Sequence, residues 1–213
     1  MEVVKPAQVS EGGIGPADVT EEKQNLPNST DSYTFHIFVV SQLTREVRIT
    51  SPDHAIDLYK MGIHSPNNPN EMSITSTTTS DNPIIGTATF TPPSFNIDCT
   101  LHSHPLTLSK HGLFKSSHTY TSSALAGKTL RWEGWGVLTG GKAVLMDDER
   151  NMPLAMLRPH KGFNVYKAGE LELLGEAAVD ERVRVEVLVT GLALLELRRR
   201  RKRDSGDANF AAM

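Results

Sequence analysis

A single cysteine, Cys99, stands among the 213 residues. No intramolecular disulfide is possible, and no thiolate cluster can hold zinc. No apolar run approaches the roughly 20 residues a helix needs to cross a bilayer. The opening MEVVKPAQVSEGG lacks a basic segment followed by an apolar core, so no signal peptide is expected. The formal charge of −3 exerts no global pull towards nucleic acid or an anionic membrane. Gly134, Gly136, Gly140 and Gly141 do not stand in the order of a dinucleotide or phosphate loop, and no strand-to-helix context follows them. They read as turn and bulge residues. Ser, His and Asp are all present, but no nucleophile-elbow spacing occurs. No cofactor site is expected. A cytoplasmic chain is, with membrane-peripheral and nuclear placements as alternatives.

With 38% hydrophobic and 22% charged residues, the composition suits one globular domain with tails. Residues 1–31 are rich in Glu, Gly, Pro, Ser, Thr and Asn and bury too little to offset the entropy of ordering, so a disordered tail is expected there. The domain is expected over residues 32–203, with a second disordered tail over 204–213. Short β-rich segments then recur. They are YTFHIFVV (33–40), REVRIT (45–50), AIDLYKMG (55–62), MSITSTTTS (72–80) and IIGTATF (84–90). FNIDCTLHSH (95–104) alternates, with Phe95, Ile97, Cys99 and Leu101 on one face, and Leu106 and Leu108 repeat the pattern. Residues 109–126 are polar and read as a long loop. Strands are expected again over 128–136, 142–149 and 152–159, and residues 163–166 are expected to pair with 169–174 around Lys167 and Ala168.

The stretch 179–203, VDERVRVEVLVTGLALLELRRRRKR, organises the rest. From residue 185 to 197 only Glu186, Thr190 and Glu196 are polar, so apolar side chains face nearly every direction. A helix that is apolar all round must be enclosed. Thirteen residues at about 1.5 Å each span roughly 20 Å, too short for a bilayer core of about 30 Å. A buried helix over 183–197 is predicted, with a strand to Val189 as the competitor, because Val183, Val185, Val187 and Val189 alternate. Ten to twelve short strands followed by one enclosed helix predict a mainly β fold. The expected form is a closed antiparallel barrel of about twelve strands surrounding one hydrophobic C-terminal helix.

Trp132-Glu133, Gly140-Gly141, Leu145-Met146-Asp147, Leu154-Ala155, Gly169-Glu170-Leu171 and Val189-Thr190-Gly191-Leu192-Ala193 running into the arginines form a recognisable order. Over residues 33–203, and most closely from Leu130 on, the chain resembles fungal members of the tubby C-terminal-like superfamily. That group is related in shape to the phospholipid scramblases and the LURP-one proteins. The resemblance implies a twelve-stranded barrel threaded by a hydrophobic helix and, by analogy with the tubby domain, affinity for phosphoinositide. The cysteine-rich region and calcium loop of the scramblases have no counterpart.

Few residues carry candidate chemistry. His102 and His104, two apart on an expected strand, could share a metal ion with His111 or His118, which would make a metal-dependent enzyme. The string His102-Ser103-His104-Pro105 is similar to the zinc site of deubiquitinating metalloproteases. Gly112 and Lys115 stand where that site needs a Ser and an Asp. Cys99 reads as a small core residue, Trp132 and Trp135 as core or half-buried, and Asp147, Asp148 and Glu149 as an exposed acidic turn. The remaining signal is basic: Arg198, Arg199, Arg200, Arg201, Lys202 and Arg203. They can complement a helix dipole, serve as a nuclear-import address, or dock on anionic phospholipid or a protein partner. The expected function is a non-enzymatic barrel that binds lipid or a partner through these six residues. Nucleic acid is not the favoured partner.

Overall fold

The computed structural model describes residues 32–41, 46–62, 70–91, 95–110, 117–134, 141–160 and 167–204, the last three by their backbone alone. The strands are β1 (Ser32–Ser41), β2 (Glu46–Thr50), β3 (Asp57–Gly62), β4 (Glu71–Ser76), β5 (Ile84–Phe90), β6 (Ile97–Leu101), β7 (His104–Lys110), β8 (His118–Thr121), β9 (Thr129–Gly134), β10 (Ala143–Asp147), β11 (Met152–Pro159) and β12 (Lys167–Leu174). A short helix α1 (Glu176–Val179) leads into α2 (Glu181–Asp204). Each strand pairs antiparallel with its sequence neighbours, and β1 closes on β12 from Ser32 opposite Leu174 to Phe38 opposite Lys167. Closure leaves no unpaired sheet edge.

Alternation selects the inner face. Along β6, Ile97, Cys99 and Leu101 are buried while Asp98 and Thr100 are exposed, and β10 repeats this with Ala143, Leu145 and Asp147. The inward rows meet α2. All thirteen residues from Val185 to Leu197 are buried, including the glycine, so no face of the helix is left to water. The alternating valines follow helix, not strand, because a rod inside a barrel buries every direction at once. Asp180 starts it: its Oδ1 accepts the amides of Arg182 (2.8 Å) and Val183 (3.4 Å) as an N-cap.

Two glycines set how closely wall and rod approach. A Cβ on Gly86 of β5 would lie 2.6 Å from a methyl of Val189, and one on Gly191 would lie 3.3 Å from the Trp132 ring. The polar residues of the rod make hydrogen bonds, while Glu186 Oε1 and the Tyr120 hydroxyl on the wall are buried without a partner. Thr190 Oγ1 accepts the indole N–H of the fully buried Trp132 at 3.1 Å and donates to the Glu186 carbonyl at 2.9 Å. Glu186 Oε2 accepts the amides of Ser123 and Ala124 and the Ser123 hydroxyl, all within 3.1 Å. Glu196 Oε1 accepts Arg200 Nε at 2.9 Å.

The structure departs from the sequence reading in several places. The Thr-rich strand stops at Ser76 and turns at Thr79–Asp81. The 95–104 segment is cut at Leu101, where His102 and Ser103 take φ of 43° and 74° and form a two-residue hairpin turn. The expected long loop instead carries the end of β7 and all of β8. Lys167 and Ala168 open β12 and are not a turn; residues 163–166 lie outside the described residues. Neither α1 nor the extension of α2 to Asp204 was expected. The tails, 1–31 and 205–213, also lie outside the described residues.

Candidate functional site: the rim where the helix emerges

Because neighbouring strands alternate in direction, β1, β3, β5, β7, β9 and β11 all end at one rim of the barrel. Helix α2 runs the same way. Near its start, Arg184 stacks on Tyr33 at the beginning of β1 and Glu186 holds the β8–β9 connection. Near its end, the side chains meet the residues that close the odd strands. The basic run therefore emerges at the rim formed by the ends of the odd strands, called here the exit rim.

Four of the six predicted basic residues can be placed there with their side chains. Arg198 donates from Nη1 to the Gly141 carbonyl between β9 and β10 at 3.0 Å, and burial lowers its pKa. Arg199 approaches Glu196 at 4.0 Å. Arg200 pairs with Glu196 and lies 4.2 Å over the Phe90 ring. Arg201 sits 4.3 Å over the Phe95 ring, which Lys110 Nζ also approaches, at 4.1 Å. Arg201 Nε and Nη2 are buried without a hydrogen-bond partner, and burial lowers its pKa. Lys202 and Arg203 continue the helix, and their side chains lie outside the described residues. Arg198 to Arg201 are thus half-buried, and the guanidinium groups of Arg200 and Arg201 pack on the rim's aromatic rings.

His118 lies among these cations and remains neutral. Burial, chiefly, with Arg201 and Lys110 adding to it, holds its pKa down at about 4 despite its bond to the Phe95 carbonyl at 3.0 Å. Lys60, Lys142, Arg158 and Lys167 also face this rim, with Glu46, Glu71, Glu133, Glu170 and Glu196 interspersed. The opposite rim has the reverse balance. Asp53, Asp81, Asp147, Asp148, Glu149, Glu176, Asp180 and Glu181 gather there against Lys128, Arg150, Arg182 and Arg184. This partition of charge between two ends was not visible in the sequence, because the residues concerned are spread over nearly every connection.

The other candidates are dispersed. His102 and His104 are exposed at the opposite rim. His118 stands at the exit rim across the seven residues of β7, about 20 Å away at about 3.3 Å per residue, so it cannot join them. His111 lies outside the described residues. No group of three His, Cys, Asp or Glu side chains is placed to hold a metal ion among the described residues. Cys99 faces the core, and burial pushes its thiol up to about 12. Trp132 is a core residue, while Trp135 lies outside the described residues. Asp147 is buried instead of exposed: its Oδ1 accepts the amides of Glu149 and Arg150, and Lys128 lies 3.4 Å from its Oδ2. These contacts close the β10–β11 turn. No described helix is long and apolar enough to cross a membrane.

Comparison with protein-family models, with curated proteins and with solved structures produced no match. The architecture itself, twelve antiparallel strands closed around a C-terminal helix, is compatible with a tubby-like fold.

Proposed function

We propose that this chain is a non-enzymatic member of the tubby C-terminal-like superfamily that docks on anionic phospholipid through its exit rim. The observation that carries the proposal is the convergence of Arg198, Arg199, Arg200 and Arg201 with Lys110 and Lys142 at one end of a barrel whose other end is acidic. A bipolar molecule orients in the field of a negative surface, basic end first. The contacts of Arg198, Arg200 and Arg201 hold the rim in shape; the proposal assigns headgroup contact to Arg199 and to the last two basic residues of the run, Lys202 and Arg203. Each basic residue near such a surface contributes about 1 kcal/mol. Changing these three to Gln therefore weakens binding by about 3 kcal/mol, roughly a hundredfold. Flotation with phosphoinositide-containing vesicles, at low and at physiological salt, measures this. Negligible wild-type binding, or equal binding by wild type and a variant with all six basic residues changed to Gln, would remove the lipid reading.

A further inference from the structure

The cationic exit rim continues onto the outer wall of the barrel, away from the helix. An open groove of about 280 Å³ is lined by Lys142, Arg158, His160, Lys167 and Glu170. The strand registers explain why these residues meet. His36 on β1 stands opposite Glu170 on β12, and Glu170 stands opposite Arg158 on β11. Lys142 immediately precedes β10 on the far side, so one outward row crosses four strands. Lys167 and His160 flank it at the rim.

Among the described residues Glu170 is the single carboxylate in the lining, and it is already engaged. Lys167 Nζ lies 2.7 Å from its Oε1, and His36 Nδ1 lies 3.5 Å from the same oxygen. Arg158 is paired outward to Glu172 at 2.6 Å. His36 is held in a crowded setting. Its ring stacks on His54 of the β2–β3 turn at 3.9 Å and hydrogen-bonds the Pro52 backbone, Glu170 and Lys167 face it from β12, and Asp53 faces His54. His36 Nδ1 is buried without a hydrogen-bond partner. As a neutral ring it presents a lone pair to a carboxylate. Once protonated, Nδ1 would donate to Glu170.

We propose that this groove binds a small divalent oxyanion of the sulfate or phosphomonoester class, that Glu170 is its internal competitor, and that His36 sets how firmly Glu170 holds Lys167. Protonation of His36 draws Glu170 towards β1 and leaves Lys167 to face the groove with Lys142 and Arg158. Burial, then the neighbouring His54, lowers the His36 pKa. Affinity therefore rises as the pH falls below the ordinary histidine range.

The test uses the full-length protein and sulfate, whose charge is constant over the range examined. Binding is followed by amide chemical shifts and by calorimetry. Replacing Glu170→Gln removes the negative charge 2.7 Å from Lys167 Nζ, an increase in sulfate affinity of about three- to tenfold. Lys167→Gln lowers it by a similar factor. With His160→Gln in both backgrounds, which removes the histidine of the groove lining, acidification from roughly pH 8 to 5.5 tightens binding when His36 is present. The same change does nothing in His36→Gln. Because Glu170→Gln is a gain of binding, loss of fold cannot imitate it. Phosphatidic acid vesicles, run beside soluble sulfate with Arg198–Arg201 intact, separate the two sources: vesicle binding that rises in Glu170→Gln assigns the site to a headgroup, and a gain confined to sulfate assigns it to a free oxyanion. No shift at the groove residues at tens of millimolar sulfate, or equal affinity of wild type and Glu170→Gln, overturns the proposal whether or not the exit rim binds lipid.

Discussion

The hydrogen bond from Trp132 to Thr190 gives the sharpest test of a helix enclosed by the barrel. The indole is 0% exposed and its N–H has Thr190 Oγ1 at 3.1 Å. Thr190→Val keeps the shape of the side chain and removes the acceptor. A buried donor left without a partner costs about 1–3 kcal/mol. The new methyl, buried where the hydroxyl was, offsets about 0.8 kcal/mol of that. The hydroxyl's own donation to the Glu186 and Val187 carbonyls is lost at little cost, since the helix's backbone amides also bond such carbonyls. The net expectation is a loss of about 0.2–2 kcal/mol, a fall in melting temperature of up to about 8 °C for a domain of this size. Trp132→Phe removes the donor and leaves a void, at about 1–3 kcal/mol. In the double variant no donor remains to be orphaned, so the two losses do not add; the coupling energy should be about 1 kcal/mol. Urea unfolding followed by circular dichroism on all four proteins measures it. Additivity within about 0.3 kcal/mol would mean that water reaches the indole, and the enclosed helix would be refuted.

Two further outcomes can be measured on the same material. Leu194, 4% exposed on α2, becomes a buried unpaired carboxylate in Leu194→Asp; the loss should be several kcal/mol, comparable to the whole stability of a domain, and an unchanged thermal transition would contradict it. His118, held at about 4 in the fold, binds fewer protons folded than unfolded between about pH 4 and 6.5. Its contribution is fully present above about pH 6.5 and is lost as the pH falls towards 4, amounting to about 3 kcal/mol at the acid end. Stability curves of wild type and His118→Gln should differ in slope within that window and run parallel above and below it, and parallel curves throughout would show that the ring is not buried as described.

Residues 185–197 contain so few polar side chains that enclosure followed from composition alone, whichever backbone they took. Alternation in segments such as 143–147 likewise declared an inner and an outer face before any partner strand was known. Where local rules compete, the reading failed. Residues 95–104 alternate without interruption, yet the chain turns at His102 and Ser103, because the pairing of Leu101 with His104 is set by the barrel and not by either residue's propensity. Asp147 looked like part of an exposed acidic turn, since a sequence does not show that two amides and a lysine converge on one carboxylate. The basic run was legible as a charge cluster. The packing of Arg200 on Phe90 and of Arg201 on Phe95 was not.

The amino-acid sequence by itself determined that this chain would build many short two-faced strands and one rod with no face for water, because period and composition act within a few residues. Only the tertiary structure decided which ends share a rim, and so which charges stand together. Antiparallel closure sends every second connection to the same end and brings His36, Glu170 and Arg158 into one row from positions far apart in the chain. Electrostatic neighbourhood depends on distance in space, and no local pattern encodes it.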